Sequence, residues 1–133
     1  MLSEQQIKDL TDYWVKNSKT KLKSMKKLYE SKCYADALYY GHMILEMALK
    51  AHIVIKTKKP ALKIHNLRRL YEIAGIELEM EDIKLMVKVN EFNMETRYPD
   101  EKMEFYKLCT KSYTDKFYEP IIKLHKRLCQ KVK

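Results

Sequence analysis

Tyr34-Ala-Asp-Ala-Leu-Tyr-Tyr-Gly-His-Met-Ile-Leu-Glu-Met-Ala-Leu-Lys-Ala51 is the stretch on which the reading of the fold turns. Ala37, Leu38, Gly41, Ile44, Leu45, Ala48, Leu49 and then His52 or Ile53 recur three and four residues apart, the spacing of one face of an α-helix. The helix should span about Tyr34 to Thr57, and the small residues Ala and Gly on its buried face allow a neighbouring helix to approach closely. His42, Glu46 and Lys50 follow one another at i,i+4 along one edge. They fit a surface salt-bridge ladder worth roughly a few tenths of a kcal/mol per pair. They fit equally an interior-leaning edge on which a carboxylate and an imidazole orient an arginine or contact a ligand.

Outward from this helix the same period continues. Ser3 followed by Gln6 is a capping-box pattern, and Ile7, Leu10, Trp14, Leu22, Met25 and Tyr29 recur at helical spacing, so a first helix should reach about Ser31. Its opposite face carries Lys16, Lys19, Lys23, Lys26 and Lys27, either a solvated face or one that touches nucleic acid. Lys56-Thr-Lys-Lys-Pro60 reads as a linker, because Pro60 ends any continuing helix and the lysines suit a helix C-terminus. A third helix is expected over about His65 to Ala74, stopped by Gly75, and a fourth over about Glu81 to Phe92, burying Ile83, Val87 and Asn90 or Met86.

Periodicity then stops at Asn93-Met-Glu-Thr-Arg97-Tyr98-Pro99-Asp100. Pro99 cannot continue a helix and pushes Tyr98 toward an extended backbone, so Arg97 and Tyr98 should be presented from a bend. A guanidinium fork, a phenol and nearby carboxylates can read a phosphate there, and the same residues can make an ordinary solvated loop. Glu101 to Leu108 reads as a short helix. Thr110 should cap a last long helix reaching about Gln130, with Phe117, Ile121, Leu124, Leu128 and Val132 as its stripe and Pro120 bending it or shifting its start. The whole is expected to be all-α, an up-and-down bundle of four main helices with additional short ones, in a single domain over residues 1–133.

Composition agrees. Two glycines and three prolines are too few turn formers for a many-stranded β fold, and 46% apolar with 34% charged residues suits a globular chain. Cys33, Cys109 and Cys129 are far apart and odd in number, which reads as reduced thiols in a cytoplasmic protein. The first residues lack a basic region leading into an apolar one, so no signal peptide is expected. Ala37 to Ile55, the most apolar run, is broken by His42, Glu46, Lys50 and His52 and is too polar to cross a bilayer. Of the net charge of +9, residues 77–104 hold nine acids and four bases, a local −5 that leaves +14 elsewhere. A basic body with an acidic flank suits an anionic partner such as RNA, a nucleotide or an acidic protein.

Several chemistries lack their residues. There is no His-Glu-x-x-His, no Cys/His cluster with zinc spacing, no glycine-rich phosphate loop and no nucleophile elbow, so no metal and no cofactor is expected. A helix-turn-helix about Gly75 would begin its reading helix with Glu79-Met-Glu-Asp82, which repels phosphate.

Taken together, the Tyr34–Ala51 helix, the Lys63-Ile-His65-Asn66-Leu67 segment and the loop ending Arg97-Tyr98-Pro99-Asp100 resemble HEPN domains, small helical domains named for their occurrence in higher eukaryotes and prokaryotes and for nucleotide binding. Phe105-Tyr-Lys-Leu-Cys-Thr110 and the final helix fit the same pattern, so the resemblance covers residues from about 10 to 130. It implies a homodimeric helical bundle that binds a nucleotide or RNA and partners a separate minimal nucleotidyltransferase in a toxin–antitoxin-like pair, without membrane attachment. It also implies Arg97 as the phosphate contact, Tyr98 as a stacking face or hydroxyl donor, Glu46 and His65 as groups that orient the site, and Asp100, His42 and Lys50 beside them. Some HEPN families are metal-independent ribonucleases whose arginine is followed four to six residues later by a histidine that moves the proton of the 2′-hydroxyl. Here those positions are Glu101, Lys102 and Met103. The expectation is therefore a binding domain, with a degenerate ribonuclease or a purely structural interaction module as alternatives.

Overall fold

The computed structural model describes residues 1–132, and among them every regular element is helical. The order is α1 (Glu4–Glu30), α2 (Tyr34–Thr57), α3 (Leu67–Ala74), α4 (Met80–Val89), a 3-10 turn (Asn90–Phe92), α5 (Pro99–Leu108), α6 (Lys111–Asp115) and α7 (Tyr118–Gln130).

α2 is the axis of the molecule. It packs against α1, α3 and α7, and its side chains are buried nearly all round, from Ala35 to Val54. A helix apolar on every side belongs in a core, whereas α1 is apolar on one side only. The two run antiparallel: Lys32 takes a left-handed conformation in the tight turn between them, and the Leu2 amide donates to the Lys58 carbonyl at the far end. Ser3 closes α1 with the expected capping box, and the five lysines of its outer face are exposed. At Gly41 the helix is closely covered by α7 and α1, since a Cβ there would lie 3.0 Å from Ile121 Cδ1 and 3.2 Å from Met25 Cε.

Three local expectations are corrected. α4 buries Met86 and packs Ile83 against the core as expected, but its face is rotated so that Asp82 and Val89 are buried while Val87 is 45% exposed. The rotation brings Asp82 to Arg127 of α7, which donates to both carboxylate oxygens at 2.8 Å, and it frees Asn90 to accept from the Leu67 amide at 2.7 Å. Pro99 does not precede α5 but begins it, since the first helical position needs no amide and the proline φ suits it. The last helix is two pieces, α6 capped by Thr110 and α7 beginning at Tyr118, with Pro120 accommodated in α7's first turn.

The 3-10 turn drops Phe92 into the space these breaks create. Phe92 is fully buried, with ring centroids 5.5 Å from Phe105, 6.4 Å from Tyr113 and 5.2 Å from Phe117. This aromatic cluster fastens α5 and α6 to the bundle and so fixes the place of the Arg97 loop.

Candidate functional site

Four of the residues singled out from the sequence converge on α2. The Glu46 carboxylate lies 2.9 Å from Lys50 Nζ, 3.1 Å from His65 Nδ1 and 3.7 Å from His42 Nδ1. His42 and Lys50 are almost fully buried, so this is not a surface ladder. The Lys50 ammonium also sits 5.4 Å from the centre of the Trp14 ring, on whose face a cation is favoured.

The loop after α2 supplies His65, and the reason α3 starts two residues later than its period suggests is here. His65 is drawn to Glu46, its carbonyl takes the His42 Nε2–H at 2.9 Å, and Asn66 then caps α3 by accepting from the Arg69 amide. With Nε2 donating to a carbonyl, the neutral His42 ring keeps its lone pair on Nδ1, which has no hydrogen-bond partner. Burial pushes the His42 imidazole below the usual histidine range, against the opposing pull of Glu46. The charges inside the knot are therefore matched, Glu46 against Lys50, and His65 is its exposed corner.

Arg97, Tyr98 and Asp100 form a second group. The loop is ordered by its own hydrogen bonds: Asn93 Oδ1 accepts from the Glu95 amide, and the Met94 carbonyl from the Arg97 amide. The Tyr98 amide donates to Glu101 Oε1 at 3.3 Å across the first turn of α5, leaving the Tyr98 ring 74% exposed. Asp100 is exposed in that same turn, where the helix dipole favours an acid.

The Arg97 guanidinium donates through Nη2 to the Glu91 carbonyl, lies 3.9 Å from Glu101 through Nη1, and covers the Phe105 ring at 5.8 Å. Its Nε is buried without a partner. A cavity of about 370 Å³ opens beside it, lined by Arg97, Glu91, Glu101, Glu104 and the rings of Phe92, Phe105 and Tyr113.

Glu46 and His65, expected to orient the site, make no hydrogen bond or ion pair with Arg97. The partners of Arg97 are Glu91 and Glu101, close in sequence, because the loop folds Arg97 back toward α4 and α5. The Tyr39 phenol is pushed up by burial and then by the carboxylates of Glu95 and Glu46. The sequence reading passed over Glu91, Glu104 and Phe105. The i,i+4 relation of Arg97 to Glu101 and of Glu101 to Phe105 was available to find part of that lining.

Among the described residues no group of three or more His, Cys, Asp and Glu is placed to hold a metal ion, and no helix is long and apolar enough to cross a membrane. The chain has no match among curated proteins or solved structures. Among protein families, residues 11–133 match the HEPN domain.

Proposed function

The chain belongs to the HEPN domain family, and from that premise we propose that it is a nucleotide- or RNA-binding domain acting with a separate nucleotidyltransferase in a toxin–antitoxin-like pair. The observation that carries the binding reading is the under-used Arg97 fork. A guanidinium has five N–H donors; in Arg97 one is committed to the Glu91 carbonyl, the Glu101 contact is long, and the buried Nε is unpaired at the wall of a cavity. A buried donor without an acceptor is unfavourable by about 1–3 kcal/mol, a cost that turning the side chain onto an anionic acceptor in the cavity would remove.

The lining also selects the ligand. Glu91, Glu101 and Glu104 outweigh Arg97 in charge and disfavour a free multiply charged phosphate. A phosphodiester, with a single charge, fits better, and on either an RNA or a nucleotide the ribose hydroxyls and exocyclic amines are donors that the carboxylates accept. Tyr98 adds an exposed ring on which a base stacks. Asp100 and His65 are the exposed members of the proposed ligand-binding set, and Glu46, His42 and Lys50 hold His65 in place from beneath.

The pocket lining contains no histidine, and positions four to six after Arg97 are Glu101, Lys102 and Met103, which supports binding over ribonuclease chemistry. A homodimer in the cytoplasm is part of the same proposal. α5 leaves Met103, Tyr106 and Leu108 uncovered, large side chains that a second copy would bury, and Cys33 is an exposed free thiol.

Calorimetric titration of the protein with ATP, GTP and a short RNA tests the proposal. Binding that weakens at least tenfold in Arg97→Ala, with the helical circular dichroism unchanged, is expected. Absence of binding, or equal binding by the variant, would overturn it, and a loss of thermal stability alone would assign Arg97 to the fold. Incubation of labelled RNA with the protein and EDTA tests separately for metal-independent cleavage.

A further inference from the structure

A furrow of about 690 Å³ lies between α1 and α7 and shares no lining residue with the Arg97 cavity. Its walls follow the two helices. α1 contributes Lys19, Leu22 and Lys26, and α7 contributes Ile122, Lys126 and Cys129, each set spaced three and four residues apart over two turns. At about 1.5 Å per residue the furrow is roughly 10 Å long. The half-buried Leu22 and Ile122 supply its apolar surface, and the exposed Lys19, Lys26 and Lys126 its charge.

His125, 2% exposed, forms the floor. The Ser18 hydroxyl sends its single proton to the Val15 carbonyl at 2.7 Å, so its oxygen accepts from His125 Nε2–H at 2.9 Å. That bond ties α7 to α1 beneath the furrow and holds its two walls in register. Burial, helped by Lys19, holds the imidazole down to about 4, so the floor is neutral near pH 7. No carboxylate lines the space, and among the described residues none of the three ammoniums has a carboxylate at ion-pair distance. Three positive charges on one furrow are thus left uncompensated.

Shape and chemistry narrow the occupant. A small-molecule site encloses most of its ligand, whereas this furrow is open along one side and would leave a small anion largely in water. No aromatic side chain and no arginine lines it, so it lacks the stacking faces and guanidinium forks that read RNA. Among the described residues every regular element is helical, so no sheet edge offers itself to an extended peptide, and polyproline segments dock on aromatic-lined grooves. The remaining mode is a helix laid in the groove between two helices. We propose that the furrow docks an acidic amphipathic α-helix of a partner protein, its apolar stripe on Leu22 and Ile122. Acids on one border of that stripe meet Lys19 and Lys26, and acids on the other meet Lys126. Arg97 takes no part, so the docking stands apart from the nucleotide reading.

Fluorescence anisotropy with labelled peptides of about 18 residues, long enough to hold a helix, tests the docking. One peptide places leucine at every third or fourth position between glutamates, a second shuffles the same composition, and an RNA dodecamer serves as a third probe. The patterned peptide should bind at least tenfold more tightly than the shuffled one. Its binding should weaken at least tenfold in Lys19→Glu/Lys126→Glu, both positions exposed, and stay unchanged in Arg97→Ala. A peptide with lysines in place of the glutamates should bind the charge-reversed variant and not the parent, which a misfolded variant would not do. In a Cys33→Ser background, bound peptide should slow modification of Cys129 by a thiol reagent at least threefold, since Cys109 is buried and its thiol is pushed up to about 12. Equal binding of patterned and shuffled peptides would overturn the helix and leave charge alone. RNA binding lost in the charge-reversed variant, with no peptide binding, would give the face to nucleic acid and overturn the proposal. Failure of the patterned peptide to bind, or binding without protection of Cys129, would overturn it outright.

Discussion

Glu46 of α2 and His65 of the following loop meet at 3.1 Å, and in doing so they fasten the loop over a lysine that is almost fully buried. The carboxylate is shared by Lys50, His65 and His42, so it is the one negative charge on which that corner of the core depends. Removing it strands the Lys50 ammonium.

Glu46→Ala should therefore destabilise the protein by about 3–5 kcal/mol, the usual penalty for breaking a buried pair from one side. Glu46→Leu combined with Lys50→Met should recover most of that loss, since no charge is then left buried. Urea denaturation of the three proteins measures this. A single variant within about 1 kcal/mol of the parent would show that Lys50 escapes to solvent instead.

Asp82 and Arg127 join α4 to α7 through two parallel hydrogen bonds of 2.8 Å, with Asp82 buried and Arg127 half-exposed. Arg127→Lys keeps the charge and loses the fork, and should lower stability by about 0.5–1 kcal/mol. Arg127→Ala leaves a buried carboxylate unpaired and should lower it by about 1–3 kcal/mol. Equal melting temperatures for the two variants would refute the role of the fork.

Gly41→Ala places a methyl group 3.0 Å from Ile121 Cδ1 and 3.2 Å from Met25 Cε, both in the fully buried core. Alanine's better helix propensity, about 1 kcal/mol, works against an overpacking penalty of about 1–3 kcal/mol. A net loss near 1 kcal/mol is expected. Ile121→Val removes the Cδ1 methyl, so the double variant should be more stable than the two single effects sum to. Strict additivity in thermal unfolding would count against the close contact.

Stability should also fall in mild acid. The folded-state value of His125 is about 4 against an ordinary 6.5, so between those values the unfolded chain binds a proton that the native state refuses. The stabilisation is whole above roughly pH 6.5, declines as pH falls through the window and levels off below about pH 4, by an amount on the order of 3 kcal/mol. His42 and His52, lowered by burial, act in the same direction. Unfolding free energies measured from pH 7 to pH 4 should show a shallower decline in His125→Gln, and an identical decline would exclude His125 as a contributor.

How far the residues alone led is clearest on α2. The run from Tyr34 to Thr57 was legible to the residue because its alternation of small and branched apolar side chains has one period and one interpretation. α1 with its capping box and the Gly75 stop of α3 were legible for the same reason, that local chemistry suffices. α4 was legible only in part, because Val87 is as plausible a core residue as Val89, and the rotation that buries Asp82 goes with Arg127, 45 positions away.

The candidate site divides along the same line. By itself the sequence determined an all-α chain of the HEPN kind, the edge formed by His42, Glu46 and Lys50, and a bend presenting Arg97 and Tyr98. Only the tertiary structure decided that His65 joins the Glu46 edge, that Arg97 turns to Glu91 and Glu101, and that Ser18 meets His125 across 107 residues. Periodicity reports which face of a helix is apolar; it is silent on which polar groups from distant helices must satisfy one another once that face is buried.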